Sequence, residues 1–245
     1  MLAPELLERL ALLQDPWQHH APTLAPPWQL PLHGVHEWVL HGPIDHPPMH
    51  AFLHMVAAAC DRQRGAATRC HDGSHVCKGS HDCDGAASCV AWIGQAVMPS
   101  AVAMHRRGME LHHHVQVPGA RTPTERLWAF EEAARSGRCV AIVVDATGWN
   151  AAMVRRAQLA SSWQPDRTPV LALAWRPQHE ATARSACTTR WAVQPVHDPA
   201  DGHACPAWCL QTIRDRRGTL DHSAARSILR EPGSSARSIP WSIAS

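Results

Sequence analysis

Short runs of apolar residues alternate along this chain with segments in which apolar residues recur at helical spacing. Three apolar runs have the character of buried strands, namely 89–93, 139–145 and 169–175, and the segment 35–40 predicts a short strand. A shorter run at 113–117 predicts a further strand. Helices are predicted to begin near four residues: Pro47, Pro99, Thr122 and Asn150. This alternation predicts an α/β domain with a mostly parallel sheet that is flanked by helices.

The two ends of the chain depart from this central pattern. Residues 1–33 combine a short amphipathic helix with a Pro-rich connector that cannot continue it. Runs at 188–196 and 208–214 predict antiparallel strands at the C-terminal edge of the sheet, and the composition of 216–245 predicts a mobile tail. We therefore expect the central domain over 34–215, interrupted by an inserted Cys/His-rich loop at 65–88.

The stretch 34–60 predicts a strand, a tight turn and a helix, the unit on which nucleoside triphosphatases hold phosphate. Phosphate binding there needs a second Gly, then a Lys and a Ser or Thr. The turn contains Gly42 and Pro43, but Pro47, Pro48 and Met49 occupy the positions of the Gly-Lys-Thr sequence. The scaffold for phosphate binding is present, and the residues that bind phosphate are missing.

Composition narrows the possible functions. At 245 residues and 45% hydrophobic content, the chain can bury one full-sized core, and its net charge of +2 does not by itself indicate nucleic acid. Lys78 is the one lysine and tyrosine is absent, so a lysine nucleophile elsewhere and tyrosine catalysis are excluded. The odd number of nine cysteines and the lack of a signal-peptide pattern predict a cytoplasmic protein with free thiols. The lack of long apolar runs predicts that the chain has no membrane segment.

The order of these elements resembles the RecA core, carried by the segments 35–43, 89–93 and 138–145. Within that superfamily, the chain is most similar to ImuA, the RecA-like accessory protein of bacterial mutagenesis cassettes. Four stretches carry this resemblance: 34–37, 127–137, 154–160 and 189–195. The resemblance covers about residues 30–215, and the Cys/His-rich loop and the short lead-in to the first strand depart from the family pattern.

The resemblance implies a role in the SOS response, in error-prone translesion synthesis after DNA damage. The partners that it implies are an ImuB-like, Y-family-like polymerase and RecA, with DNA reached indirectly through them and a nucleoid-associated location in the cytoplasm. Two alternatives share the fold: a divergent RecA-like ATPase of DNA repair, and a RecA-like inhibitor of cell division.

The resemblance also allows the RecA active site to be compared by position. Pro48 stands at the position of the phosphate-binding Lys, and no carboxylate lies at 94–96, where the catalytic Glu is expected. Asp145 remains at the end of its strand, where a metal-associated carboxylate would sit. Without its partners, we interpret Asp145 as structural or vestigial, and we expect no enzyme activity and no cofactor.

The inserted loop offers soft ligands for zinc: Cys70, Cys77 and Cys83, with His75 and His81. The spacing between these cysteines lacks the tight knuckle that makes zinc motifs specific, and the loop contains near-repeats of Gly-Ser-His. An adventitious, expanded loop is therefore favoured over a metal site. The three histidines at 112–114 could also suggest a metal site, but we interpret them as part of a strand edge.

Arginines supply the candidates for direct contact with DNA phosphates. They form three groups: Arg106 and Arg107, Arg155 and Arg156, and Arg214, Arg216 and Arg217. Arginine pairs on helices are more often solvated surface than binding sites, so indirect association with DNA is the favoured interpretation.

Overall fold

A single mixed sheet organises the part of the chain that the computed structural model describes, namely residues 34–40, 47–71, 89–162, 170–196, 207–215 and 226–229. Its strands, in chain order, are β1 Val35–Leu40, β2 Cys89–Ile93, β3 His114–Val117, β4 Cys139–Asp145, β5 Leu171–Arg176, β6 Thr189–Val196, β7 Ala207–Asp215 and β8 Arg226–Leu229. They are arranged in the order β3-β2-β4-β5-β1-β6-β7-β8. The strands from β3 to β6 in this order are parallel, and β7 and β8 add an antiparallel edge. The predicted α/β fold, with a mostly parallel sheet and an antiparallel C-terminal edge, is confirmed.

The helices are α1 Met49–His71, α2 Ala101–His105, α3 Pro123–Arg135 and α4 Ala151–Ala160. Within the described ranges, three single-turn 3₁₀ helices lie between the larger elements, at Gln95–Val97, Leu111–His113 and Gln178–Glu180.

Alternate residues of the buried strands divide the core into two layers. On β4, Ala141 and Val143 face the layer that contains α1 and α2, while Ile142 and Val144 face the layer that contains α3 and α4. In the first layer, Phe52 packs edge-on against Trp38 of β1, with ring centroids 5.2 Å apart. Each fully buried side chain of this size contributes about 1.5–3 kcal/mol, so helix α1 is a main support of the sheet.

Local sequence signals account for the ends of α3 and α4. The Thr122 hydroxyl accepts a hydrogen bond from the Glu125 backbone N–H, and the Glu125 carboxylate accepts one from the Thr122 N–H, which is a complete capping box. Asn150 caps α4 in the same manner through the Met153 N–H. These caps place both helices where the sequence predicts them.

The strand β1 begins at a tightly packed corner. Gly34 has a φ of +75° and donates its N–H to the Ser161 carbonyl, at 2.9 Å. A Cβ atom at this position would lie 2.2 Å from the Thr188 hydroxyl oxygen and 2.5 Å from Nε2 of Gln158. Both the backbone conformation and the close approach of these side chains therefore require glycine here.

The structure differs from two of the predicted boundaries. Helix α1 continues to His71, so residues 65–71, including the backbone of Cys70, are helical and do not belong to the predicted 65–88 loop. Alanine and arginine residues after Gly65 favour helix strongly enough to extend it past the glycine. Strand β8 lies inside the predicted 216–245 tail, where it pairs with the otherwise open edge of β7. The sheet therefore extends beyond the predicted end of the domain at residue 215.

The remaining predictions on the termini and loops fall outside the described residues. They concern the 1–33 helix and connector, the rest of the tail, the turn at Gly42 and Pro43, and the loop residues His75, Cys77, His81 and Cys83.

Candidate functional site

The carboxyl ends of the parallel strands meet on one side of the sheet, and this is where α/β proteins bind ligands. Beyond β1, two buried prolines, Pro47 and Pro48, directly precede helix α1, whose first residue is the half-buried Met49. The Pro48 carbonyl accepts the Phe52 N–H at 3.1 Å, which starts the helix. Because proline has no N–H, neither residue can donate a backbone hydrogen bond to a phosphate.

Asp145, at the end of β4, is held by groups of the protein itself. Its Oδ1 accepts the Thr147 backbone N–H at 3.0 Å, and its Oδ2 lies 4.0 Å from Nη1 of Arg126. The side chains of both charged residues are nearly buried, at 12% and 8% exposure. Arg126 also donates to the carbonyls of Arg121 and Thr147, at 2.6 and 2.5 Å. The carboxylate thus fixes the loop between β4 and α4.

Gly94, at the end of β2, leaves room for this ion pair. A Cβ atom on Gly94 would lie 2.8 Å from the Asp145 Cβ and 2.9 Å from the Arg126 Cδ, and its φ is +93°. The next residues, Gln95 and Ala96, form a 3₁₀ turn in place of the expected catalytic carboxylate. An open cavity of about 410 Å³ lies beside these groups, and Arg121 and Pro118 line its other side.

A second charged cluster lies deeper in the sheet and was missed from the sequence. The fully buried Glu37 carboxylate of β1 lies between two arginines, with Oε1 3.2 Å from Nε of Arg176 and Oε2 3.0 Å from Nε of Arg190. Nη1 of Arg176 also lies 3.2 Å from Oε2 of Glu180, and Nη2 of Arg176 donates to the Trp149 carbonyl. The four formal charges sum to zero. Charged residues within three predicted strands were the sequence signal for this cluster.

The buried charged cluster around Glu37 holds the segment 177–188 against the sheet. Nη1 of Arg190 donates to the carbonyls of Ala181 and Ala183, at 3.1 and 2.8 Å. The second carboxylate oxygen of Glu180 accepts the Gly148 N–H at 2.7 Å, which connects this segment to the loop after β4. These interactions are structural, since the ionic groups are closed off from solvent.

Two of the three groups of candidate DNA-binding arginines lie on opposite faces of the sheet. Helix α2 carries Arg106 and Arg107 at its end, and it packs on the face of the sheet opposite to α4, which carries Arg155 and Arg156. Arg156 is engaged in a two-bond ion pair with Glu131, at 2.9 and 2.8 Å.

Of the third group of arginines, Arg214 lies within the described residues. Arg214 donates to the Ser185 carbonyl at 3.0 Å, while Arg216 and Arg217 lie outside the described residues. Direct contact of these arginines with DNA stays a prediction.

Large apolar side chains are exposed on the two helices that cover one face of the sheet. Trp128 of α3 is 64% exposed and Leu159 of α4 is 61% exposed. On the other face, Val102 of α2 is 61% exposed. An indole with this exposure is uncommon, because tryptophan side chains are usually largely buried.

No family model matches this chain, and a search of curated proteins also found no match. Among solved structures, the crystal structure of SulA from Pseudomonas aeruginosa aligns with 58% of this chain and 97% of its own chain, at 15% sequence identity and a TM-score of 0.35. A likeness at this level does not bear on function. The similarity to ImuA remains a resemblance carried by short stretches of sequence.

None of the helices in the described ranges has both the length and the apolar character needed to span a membrane.

Proposed function

We propose that this chain is a non-catalytic RecA-like adaptor in SOS-induced, error-prone translesion synthesis, which binds an ImuB-like polymerase and RecA. The family resemblance supplies the pathway and the partners. The structure supports the absence of catalysis through one observation in particular. The Asp145 carboxylate, which a nucleotide-hydrolysing relative would use for its metal ion, is held by the Thr147 N–H and faces the Arg126 guanidinium.

The surrounding residues support the same proposal. Phosphoryl transfer depends on a Lys and a Mg²⁺ ion to stabilise charge on the phosphates. Here the Lys position is the buried Pro48, and a guanidinium lies beside the one remaining carboxylate, where a divalent cation would meet electrostatic repulsion. The fold is kept while the groups that act on nucleotide are replaced.

An adaptor needs a surface that is available to partners, and the exposed face of α3 fits this need. Exposed tryptophans are the residues that most often dominate the binding energy of protein interfaces. Trp128 lies among charged residues, because Glu132 and Arg135 on the same helix form an exposed ion pair at 3.6 Å. An apolar anchor with a charged rim is the usual composition of such an interface.

The test uses purified, full-length protein with purified ImuB-like polymerase and, separately, with RecA. We expect direct binding to both, weakened by at least tenfold for Trp128→Ala and unchanged for the matched control Val102→Ala, which is equally exposed on the opposite face. Binding to neither partner would remove the adaptor proposal and would favour the cell-division inhibitor.

Calorimetry with Mg-ATP addresses the enzyme alternative. We expect no heat of binding at micromolar nucleotide and no turnover. Tight binding with hydrolysis would establish the divergent ATPase in place of the adaptor. Binding of polymerase with no nucleotide chemistry is the result that the proposed function requires.

A further inference from the structure

We propose that Glu110, His112 and His113 form a binding site for a divalent transition-metal ion, with Zn²⁺ as the best-suited ion. The three residues belong to the connection between α2 and β3, and they are separate from the Cys/His-rich loop. Two imidazoles and one carboxylate are a ligand set that zinc uses in sites that keep a position open for water. This inference does not depend on the proposed adaptor function.

The ligand atoms already have nearly the separations that a metal ion requires. Nε2 of His112 lies 3.4 Å from Oε2 of Glu110, and Nδ1 of His113 lies 3.7 Å from the same oxygen. All three atoms lie within 4.8 Å of one another. A tetrahedral zinc ion with bonds of about 2.0–2.1 Å separates its ligands by about 3.4 Å. Small side-chain rotations are therefore enough to close the site around an ion.

The backbone holds the three side chains together. Residues Leu111–His113 form a 3₁₀ turn in which the His113 N–H donates to the Glu110 carbonyl, at 3.0 Å. In a 3₁₀ helix, side chains three residues apart lie directly above one another, which brings Glu110 and His113 to the same side. The His112 and His113 rings are in edge contact, with centroids 4.1 Å apart. Among the residues that the structure describes, this is the one group of three potential ligands at such short separations.

The next histidine has a different role, which limits the ligand set to three. The Trp92 indole N–H donates to Nδ1 of His114 at 3.0 Å, and the two rings are stacked. Burial lowers the pKa of His114, with a further contribution from the neighbouring His113. His114 is thus engaged as a hydrogen-bond acceptor of Trp92, and water would complete the coordination of the metal ion.

The experiment must separate this site from the cysteines of the loop. We would therefore use a full-length background with Cys70, Cys77 and Cys83 replaced by Ser, and titrate it with Zn²⁺ and with Co²⁺. We expect one equivalent of metal to bind. The bound cobalt should show visible bands of a nitrogen and oxygen site without the intense near-ultraviolet band of thiolate ligation.

The decisive comparison adds His112→Ala and His113→Ala to that background. We expect the affinity for Zn²⁺ to fall at least 100-fold. The matched control His105→Ala, an exposed histidine on α2, should bind metal as the parent does. The substituted side chains are at the surface, so an unchanged circular dichroism spectrum would show that the fold is intact. Equal metal binding by the double variant and the parent, or no binding by the parent, would overturn the proposal.

Discussion

The Glu37 carboxylate and the Arg176 guanidinium lie 3.2 Å apart, with both side chains fully buried between the sheet and the segment that covers it. Arg190 approaches the other carboxylate oxygen to 3.0 Å. Isolated charges at this depth would be strongly destabilising. The cluster is tolerated because two acidic and two basic groups neutralise one another, and its members therefore depend on each other.

Replacing Glu37 with Ala should destabilise the protein by about 3–5 kcal/mol, because two buried guanidinium groups would lose their counter-ion. The free energy of unfolding from urea titration measures this loss. The matched control is Glu132→Ala, which removes an exposed carboxylate paired with Arg135 and should change stability by less than about 1 kcal/mol. Similar effects of the two substitutions would show that the buried cluster is not important for stability.

Replacing Gly34 with Ala should be more destabilising than the same change at Gly137. Both glycines have positive φ, at +75° and +67°, so an L-residue is strained by about 1–2 kcal/mol at either position. Only at Gly34 does the added Cβ also collide with Thr188 and Gln158, since nothing lies within 4 Å of it at Gly137. Thermal unfolding of both variants measures the difference, and equal melting temperatures would contradict the tight corner at β1.

Stability should fall as the pH rises above about 9. Burial raises the pKa of Cys187 from 9.0 to about 12, with a contribution from Glu37, and burial together with the Cys89 thiol raises that of Cys139 to about 12. Below pH 9 both folded and unfolded thiols keep their protons. Above pH 9 the unfolded chain releases protons first, so each thiol lowers stability by about 1 kcal/mol per pH unit until the folded pKa is reached.

The chain has no tyrosine and one lysine, so cysteine thiols dominate the titration between pH 9 and 10. Among them, burial also raises the pKa of Cys60 to about 11, which adds to the loss of stability. Urea unfolding at pH 8, 9 and 10 measures the slope of stability against pH. In Cys187→Ala the slope above pH 9 should be smaller than in the parent, whatever the change in absolute stability. An identical slope would mean that the Cys187 thiol does not retain its proton in the fold.

Asp145→Ala should reduce stability without affecting partner binding. The substitution removes the acceptor of the Thr147 N–H and leaves Arg126 without its carboxylate, which should cost about 1–3 kcal/mol. The control Asp61→Ala removes an exposed carboxylate from α1 and should be nearly neutral. Binding of the ImuB-like polymerase should be equal for Asp145→Ala and the parent at a temperature where both are folded. A selective loss of binding would show that Asp145 has a functional role.

The sequence was most informative where one local signal decides the structure. The apolar run 139–145 coincides with β4, and the Thr122–Glu125 capping box begins α3 as predicted. The end of α1 could not be predicted from the sequence, because Gly65 resembles a helix stop while the following alanines favour continuation. Strand β8 depends on pairing with β7, which is remote in sequence and leaves no local pattern.

Single residues of the candidate site could be predicted from the sequence, but the side chains with which they interact could not. The residue types at Pro48 and Asp145 were enough to predict a loss of nucleotide chemistry, which stays part of our proposal. The partner of Asp145 could not be predicted, because Arg126 lies on a different element and its approach depends on the packing of α3 beside β4. Glu37, Arg176 and Arg190 are far apart in the chain, and only the parallel pairing of β5, β1 and β6 brings their charges together.

The buried charges also select the alignment of the central strands. Successive residues on a strand point to opposite faces of a sheet, so a slip of β1 by one residue would carry the Glu37 carboxylate into the apolar layer with Phe52. The same slip would leave Arg176 and Arg190 facing no acidic partner from β1. An apolar side chain at residue 37 would carry no such penalty. The glutamate therefore makes a one-residue slip unfavourable and favours the observed register at the centre of the sheet.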